Sequence, residues 1–385
     1  MEFVEVYDEI RKFHHFTSGK LDYYEVTIMN DIRYEKSIEQ SQKAIIYIKH
    51  NLEDCEVIGN FTSMQDLRYL LNYGIICKEE EICHIHRCLK QKNVTLKHIP
   101  SEKERIEYAK RLFDNSSKFN WFSHSRLYMN IYDNVGWFHN EYYEMRIDNH
   151  ANARILPICA KKISECNIPN QIEQNVWEMS QKKINNKIEI LLSPLVVSKM
   201  IIIPLNQILN INNSNDAVYS LTIPDMITIE DKPFSQSSIN DVEFDMLGNT
   251  VVNQTYIENG KVLKLYGNEK KLFSINGNVV LHKNKLKHSM IFPILNSGKV
   301  SVCDMLPFLY FEDFYGKFDI RNLIVSGNLV NRDKTGKIKN KVFIRVKFQK
   351  ILDSIICCSK EKMVLNQILA CEVPYMLIRR DVIEH

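Results

Sequence analysis

The sequence predicts an α+β protein. A region of strands and helices spans residues 1–185, and a mostly β domain spans residues 186–385. Three observations carry this reading. Apolar residues alternate with a period of two up to Phe61 and then recur with a helical period. A second, nearly all-apolar helix opens at Ser193-Pro194. From Val218 onward, short alternating runs punctuated by glycine and Asn-Gly dominate.

The chain of 385 residues is long enough for two or three domains and a sizeable core. Hydrophobic residues make up 45% and charged residues 25%, as expected for a globular protein. A net charge of +3 is too near balance to favour nucleic acid or a membrane surface as partner. No apolar run approaches the roughly 20 residues that a membrane helix needs. The opening Met1-Glu-Phe-Val-Glu-Val lacks the basic and apolar regions of a signal peptide. Ten cysteines scattered along such a chain imply reduced thiols, and a cytoplasmic location is expected.

Between residues 21 and 61 the pattern is extended. Tyr24, Val26 and Ile28 alternate with Glu25 and Thr27; Ala44–Ile48 and Val57–Phe61 follow, joined by a polar turn at Asn51–Asp54. A helix begins at Thr62 or Ser63. Thr62 with Gln65 and Ser63 with Asp66 both resemble capping boxes, and Leu67, Leu70, Leu71 and Ile75 share one face. Two further helices are expected around Ile82, Ile85 and Leu89, and from Ser101. Residues 118–160 return to strands, with Leu127, Met129 and Ile131, then Tyr143, Met145 and Ile147, flanking a turn at Asp133-Asn-Val-Gly136.

A helix from about Asn170 to Lys183 leads to the strand Lys187–Leu192. Serine as N-cap and proline in the first turn then start the helix Leu195–Leu209, apolar on nearly all sides and so expected to be buried. Pro204 should kink or end it. In the β region, Phe273–Leu281, Lys299–Cys303 and Val342–Phe348 are strand candidates, and Gly316, Gly327 and Gly336 mark bends. The clearest hairpin lies in Asp245–Lys264. Val251, Asn253, Thr255 and Ile257 alternate with Val252, Gln254, Tyr256 and Glu258. Glu258-Asn259-Gly260-Lys261 supplies a turn whose central residues tolerate positive φ.

This hairpin, with Asp245-x-x-Gly248 and then Ile257-Glu-Asn-Gly-x-Val-Leu-Lys264, resembles the signature hairpin of the TldD/TldE (PmbA) family of metallopeptidase subunits. The likeness is collinear over most of the chain. It takes in the capped helix at Ser63, the strand pair around Gly136, the Ser193-Pro194 junction, Ile229-Glu-Asp-Lys-Pro233, Tyr315-Gly-Lys-Phe-Asp319, Ser326-Gly-Asn328 and the closing Cys371–Ile378 strand. The family's catalytic subunit carries His-Glu-x-x-x-His on the helix after the Ser-Pro-like junction, where histidines hold zinc and the glutamate polarises a water. Here Ile202, Ile203 and Gln207 stand about where those three would be. The resemblance therefore implies the metal-free, TldE-like subunit. It implies no catalytic residue, no metal and no cofactor in this chain, and zinc in a TldD-like partner. The implied role is to help hold extended peptides, including leader segments of ribosomally made modified peptides. Gly248, Val251, Asn253, Thr255 and Gly260 are the candidate wall of the peptide groove, reached by strand addition.

Two other readings remain open from the residues. One is a stand-alone peptide-binding or scaffolding protein. The other is a hydrolase using its own cysteine and histidine residues, for which Cys83-His-Ile-His-Arg-Cys88 is the densest cluster. That cluster lacks a CxxC pair and a second pair at zinc-finger spacing. Trp121, Phe122, Tyr128, Tyr132 and Trp137 interleave with His124 and Arg126, a pattern expected of a sheet core.

Overall fold

The computed structural model describes residues 5, 9, 22–34, 38–50, 55–76, 119–132, 134–147, 158–160, 165, 172, 175–176, 178, 189–210, 220–239, 251–266, 279–282, 285–305, 308–332, 337–366 and 369–383. The chain divides into two interleaved compact units. One comprises Met1–Glu144, Asp241–Val252 and Phe273–Leu286, the other Met145–Asn240, Asn253–Leu272 and Lys287–His385. The architecture is the expected α+β, with strands dominating.

In the first unit, β1 (Asp22–Tyr34), β2 (Ile38–His50) and β3 (Cys55–Phe61) form an antiparallel meander. β4 (Phe119–Tyr132) pairs antiparallel with the free side of β1, and β5 (Asn134–Ile147) lies beyond β4, giving the order β3-β2-β1-β4-β5. The interleaved aromatics at 121–137 thus lie on sheet strands. α1 (Met64–Ile76) follows β3 directly. Its start is the Ser63 capping box: Asp66 N–H donates to Ser63 Oγ (3.1 Å), and Ser63 N–H donates to Asp66 Oδ2 (3.0 Å). Thr62 joins the same carboxylate rather than pairing with Gln65. Leu67 and Leu71 are buried, as their spacing requires. The helices expected near Ile82 and from Ser101, and the Cys83–Cys88 cluster, lie outside the described residues.

The second unit begins with β6 (Ile158–Ala160) and β7 (Glu189–Leu192). The apolar helix follows as three joined pieces: α2 (Pro194–Val197), a π-helical stretch Ser198–Ile202, and α3 (Ile203–Ile208). β8 (Ile229–Asp231), β9 (Gln254–Glu258) and β10 (Lys261–Val262) come next. A two-stranded ribbon of β11 (Val279–His282) and β12 (Lys285–His288) precedes β13 (Pro293–Leu295). β14 (Phe308–Phe311), β15 (Asp313–Asp319), β16 (Ile324–Arg332), β17 (Ile338–Lys347), α4 (Phe348–Asp353), β18 (Ile355–Asn366) and β19 (Ala370–Ile378) complete the chain.

The main sheet of this unit runs β10-β9-β8-β13-β19-β7-β14, with β18 along β19. β19 contains Pro374, which a central strand tolerates poorly because proline donates no ladder bond. The register of β18 against β19 slips between Cys358 and Lys362, a bulge that accommodates the proline. Tyr375 N–H, next along, donates to Ser359 Oγ (3.0 Å). The aliphatic helix packs into the core with Ile190, Leu192, Phe311, Val373 and Met376.

Two expectations for the β region need correcting. Residues 299–303 do not form a strand; Val302–Asp304 is a 3-10 turn. Glu361, arriving from β18, accepts from Ser301 Oγ (2.7 Å) and Val302 N–H (2.8 Å), so a distant carboxylate caps this segment into a turn. Gly316 and Gly327 are not bends. They face each other across β15 and β16, in strand interiors, and a Cβ on either would collide with the Phe314 ring. The ring covers the two glycines, a pairing that holds the sheet closely packed. Gly336 lies outside the described residues.

Candidate functional site

The Asn259-Gly260 turn forms as its sequence requires. Both residues have positive φ, 47° and 75°, and β9 pairs with β10 as Lys261↔Glu258 and Val262↔Ile257. Asn259 N–H donates to Thr228 Oγ1 (3.0 Å) and Gly260 N–H to the Ile227 carbonyl (2.9 Å). The missing Cβ of Gly260 leaves room for the backbone of Ile223 and Pro224. Its close approach is therefore to the chain itself. β9 starts at Gln254, so the alternation read over 251–253 is not strand: Val251 is buried, while Val252 and Asn253 are exposed. Thr255 is half-buried opposite Glu230 of β8. Gly248 lies outside the described residues.

The helix after the Ser193-Pro194 junction is the second element that the resemblance singled out. Ser193 is a doubly used N-cap. Its Oγ accepts from Val196 N–H (3.2 Å) and donates to the Glu312 carbonyl (2.7 Å), tying the helix start to the end of β14. Pro204 neither ends nor breaks this helix. The turn before it widens to π geometry, with Ile203 N–H reaching back five residues to the Ser198 carbonyl. The wider turn separates the proline ring from the carbonyls it would otherwise strike, and α3 continues to Ile208. Ile202 is fully buried, and Ile203 and Gln207 are partly buried. Two aliphatic side chains and a neutral amide do not fit a zinc ion, which takes thiolate, imidazole or carboxylate donors. Among the described residues, no group of three or more His, Cys, Asp or Glu side chains is placed to hold a metal.

A polar network fastens this helix to the hairpin's return. Asn206 Oδ1 accepts from Met290 N–H (3.0 Å), its Nδ2 donates to Ser289 Oγ (3.1 Å), and Tyr266 OH also bonds Asn206. Tyr266 N–H donates to the Leu209 carbonyl (3.1 Å), and its ring meets that of Tyr256 edge-on, 5.3 Å between centroids. Burial pushes the Tyr266 phenol well above its ordinary value, so it stays a donor. Beside this network, Asp231 at the end of β8 is fully buried. It accepts from Ile291 N–H (3.1 and 3.0 Å) and Phe292 N–H (2.7 Å), which positions the start of β13. Burial raises its pKa from 3.8 to about 6, against the pull of those amides.

A charged cluster around Tyr315 joins residues that lie far apart in the sequence. Lys199, on the π-helical stretch, pairs with Asp313 Oδ1 (2.7 Å), donates to the Phe314 carbonyl (3.2 Å) and stands 5.5 Å from the Tyr315 ring centroid. Arg332 donates to Tyr315 OH (2.7 Å) and pairs with Glu312 (2.9 Å). Its partners come from 17 and 20 residues away, and those of Lys199 from 114 and 115. The local signals were a lysine in a mostly apolar helix and a tyrosine next to Gly316.

The described thiols offer little nucleophilic chemistry. Burial pushes Cys358 and Cys371 up to about 12, so both stay protonated. Cys371 contacts Ser198 Oγ at 3.2 Å in the core. Cys303 is exposed on the 3-10 turn, and Cys159 is buried.

No family profile and no curated protein matches this sequence. Solved structures do match. TldE from Thermococcus kodakarensis superposes with a TM-score of 0.62 at 12% identity, over 98% of each chain. A protein from Thermotoga maritima described as a candidate modulator of DNA gyrase gives 0.59 at 14% identity, over 98% of this chain and 99% of that one. A similarly described protein from Bacteroides thetaiotaomicron gives 0.55 at 12% identity, over 98% and 96%. At such identities the likeness establishes the fold. The chain has the fold of TldE along nearly its whole length, as the hairpin and the Ser-Pro junction implied.

Proposed function

We propose that this chain is a non-catalytic, TldE-like subunit of a two-chain zinc metallopeptidase. It closes the substrate chamber of a TldD-like partner and helps hold extended peptides, with leader segments of modified peptides as one substrate class. The observation that carries this reading is the helix Pro194–Ile208. It sits in a TldE-like fold with a buried isoleucine, a second isoleucine and a glutamine where a zinc subunit would need His, Glu and His. Hydrolysis must then be supplied by another chain. Burial keeps Cys358 and Cys371 protonated, so neither is the nucleophile that a self-sufficient cysteine hydrolase would need. In this reading the β9–β10 hairpin, with β10 at the edge of the sheet, is the candidate wall along which a peptide backbone would run.

The test is reconstitution. The chain is purified alone and together with a TldD-like protein encoded beside it, and both preparations are assayed for bound zinc and for cleavage of an unfolded peptide library. The expected result is no zinc and no cleavage for the isolated chain, and both for a stable pair. Stoichiometric zinc in the isolated chain would overturn the proposal. So would failure to form a complex with any such partner, which would favour a stand-alone binding protein.

A further inference from the structure

β15, β16 and β17 form a separate three-stranded antiparallel sheet, in that order. Its inner face carries Phe314, Val325, Leu329, Ile344 and Val346, all buried. Its outer face is covered around Asp313 and Val330 but exposed at Tyr315, at Lys317 and along β17. On β17 the outward positions are Lys339, Lys341, Phe343, Arg345 and Lys347, all exposed, with Phe343 61% exposed. Four cations thus flank one bare aromatic ring along a single strand. Lys347 is engaged with the Asn322 carbonyl (2.8 Å). Lys341 and Arg345 have no ion pair or hydrogen bond among the described residues. The register sets Phe343 beside Asn328 and Tyr315 in one cross-strand row, and Arg345 beside Ser326 and Lys317 in the next.

β17 is also an edge. Among the described residues, no strand pairs with its other side. β17 runs for ten residues, and the backbone groups on its far side have no strand partner among the described residues. Edge lysines commonly guard against such pairing. The same cations would also discriminate between strands that approach. A second copy of β17 would set cation against cation, which is destabilising for directly opposed residues. A strand with acids at alternate positions meets opposite charges instead, at Lys341 and Arg345 above all. Its other side chains would extend the apolar inner face next to Val342, Ile344 and Val346.

We infer that the β17 edge is a docking site for an acidic, extended polypeptide segment. The segment alternates acidic and apolar residues, and its central outward position is apolar to cover Phe343. This goes beyond the proposed subunit role and needs no partner subunit. A single-stranded nucleic acid is the lesser fit. Its phosphates would call for cations on both sides of the Tyr315–Phe343 row, and the β15 side presents Asp319 as well as Lys317.

The probe is an end-blocked, fluorescein-labelled nonapeptide of alternating acidic residues and valine with leucine at its centre, titrated with the full chain and followed by anisotropy. Expected is saturable binding that weakens as salt rises from 50 to 500 mM. The double variant Lys341→Glu, Arg345→Glu should lose at least about tenfold in affinity, about 1.4 kcal/mol. It should also gain affinity for a peptide with lysine at the acidic positions. Both residues are exposed, and an unchanged melting curve separates loss of docking from loss of fold. N-methylation of alternate peptide amides should abolish binding, because strand addition needs the backbone donors. Equal binding of the acidic and lysine peptides would overturn the inference. So would indifference to N-methylation, or displacement of the peptide by an oligothymidylate at lower concentration. Since the isolated chain is used, these outcomes are independent of whether it pairs with a TldD-like subunit.

Discussion

Asp231 gives the folded state a pH dependence that can be worked out from its surroundings. The carboxyl is fully buried between β8 and the start of β13, and burial outweighs the amides of Ile291 and Phe292 in setting its pKa. The ordinary value is 3.8 and the folded value about 6. In the window between them the folded state holds a proton that the unfolded chain has released. Stability is then greatest below pH 4 for this group, falls as pH rises through 6, and levels off above it. At 1.36 kcal/mol per pKa unit, the fall amounts to about 3 kcal/mol. Asp231→Asn removes the titration and keeps one acceptor for the two amides. The variant loses a hydrogen bond, at about 1 kcal/mol, at every pH. The assay is urea unfolding of wild type and variant at half-unit steps from pH 3 to 8. The free-energy difference between them should shift by about 3 kcal/mol in the variant's favour across the window, with its midpoint between pH 4 and 6. Parallel curves would refute the reasoning and mean that the amides hold Asp231 ionised.

Two further substitutions probe the elements that frame the candidate site. Gly260→Ala puts a Cβ at φ 75° against the Ile223 carbonyl and Pro224, and should cost at least about 2 kcal/mol in urea unfolding, beyond the roughly 1 kcal/mol of a left-handed alanine alone. Ser193→Ala removes the cap to Val196 and leaves the buried Glu312 carbonyl one donor short, so a loss of about 2 kcal/mol is expected, with Ser193→Thr recovering part of it.

What could be read from the sequence is what short-range chemistry dictates. Asn259-Gly260 permits the positive φ of a hairpin turn, Ser63 and Asp66 can satisfy each other's amides, and Ser193-Pro194 can start a helix whatever surrounds it. The alternation at Val342, Ile344 and Val346 was equally local, and those side chains do face inward. What could not be read depends on groups that arrive from elsewhere. Val300 and Val302 alternate as a strand would, but Glu361 turns the segment into a helix turn. Glycine at 316 or 327 suggests a bend until its partner across the sheet, and the Phe314 ring lying over both, are known. The Lys199–Asp313 pair joins residues 114 apart, and no window of sequence contains both.

The helix Pro194–Ile208 also explains why a metal centre could not be installed here by restoring three side chains. Ile202 faces the core with no exposed surface, so an imidazole there would sit within the apolar core cluster and would need polar partners for its ring nitrogens. Burying such a polar group without partners costs about 1–3 kcal/mol, and a carboxylate at Ile203 would add its own desolvation. The π-helical turn compounds the problem. Its five-residue step displaces everything after Ser198 relative to a regular α-helix, so side chains at 202 and 207 do not project as they would from an unbroken one. Pro204 accompanies that turn because it supplies no N–H for the regular ladder, and the wider ring of backbone gives it room. Packing, backbone geometry and donor chemistry therefore agree at this helix: it serves as a core strut fastened at Ser193 and at Asn206, and Ile202, Ile203 and Gln207 are not the donors that a zinc ion takes.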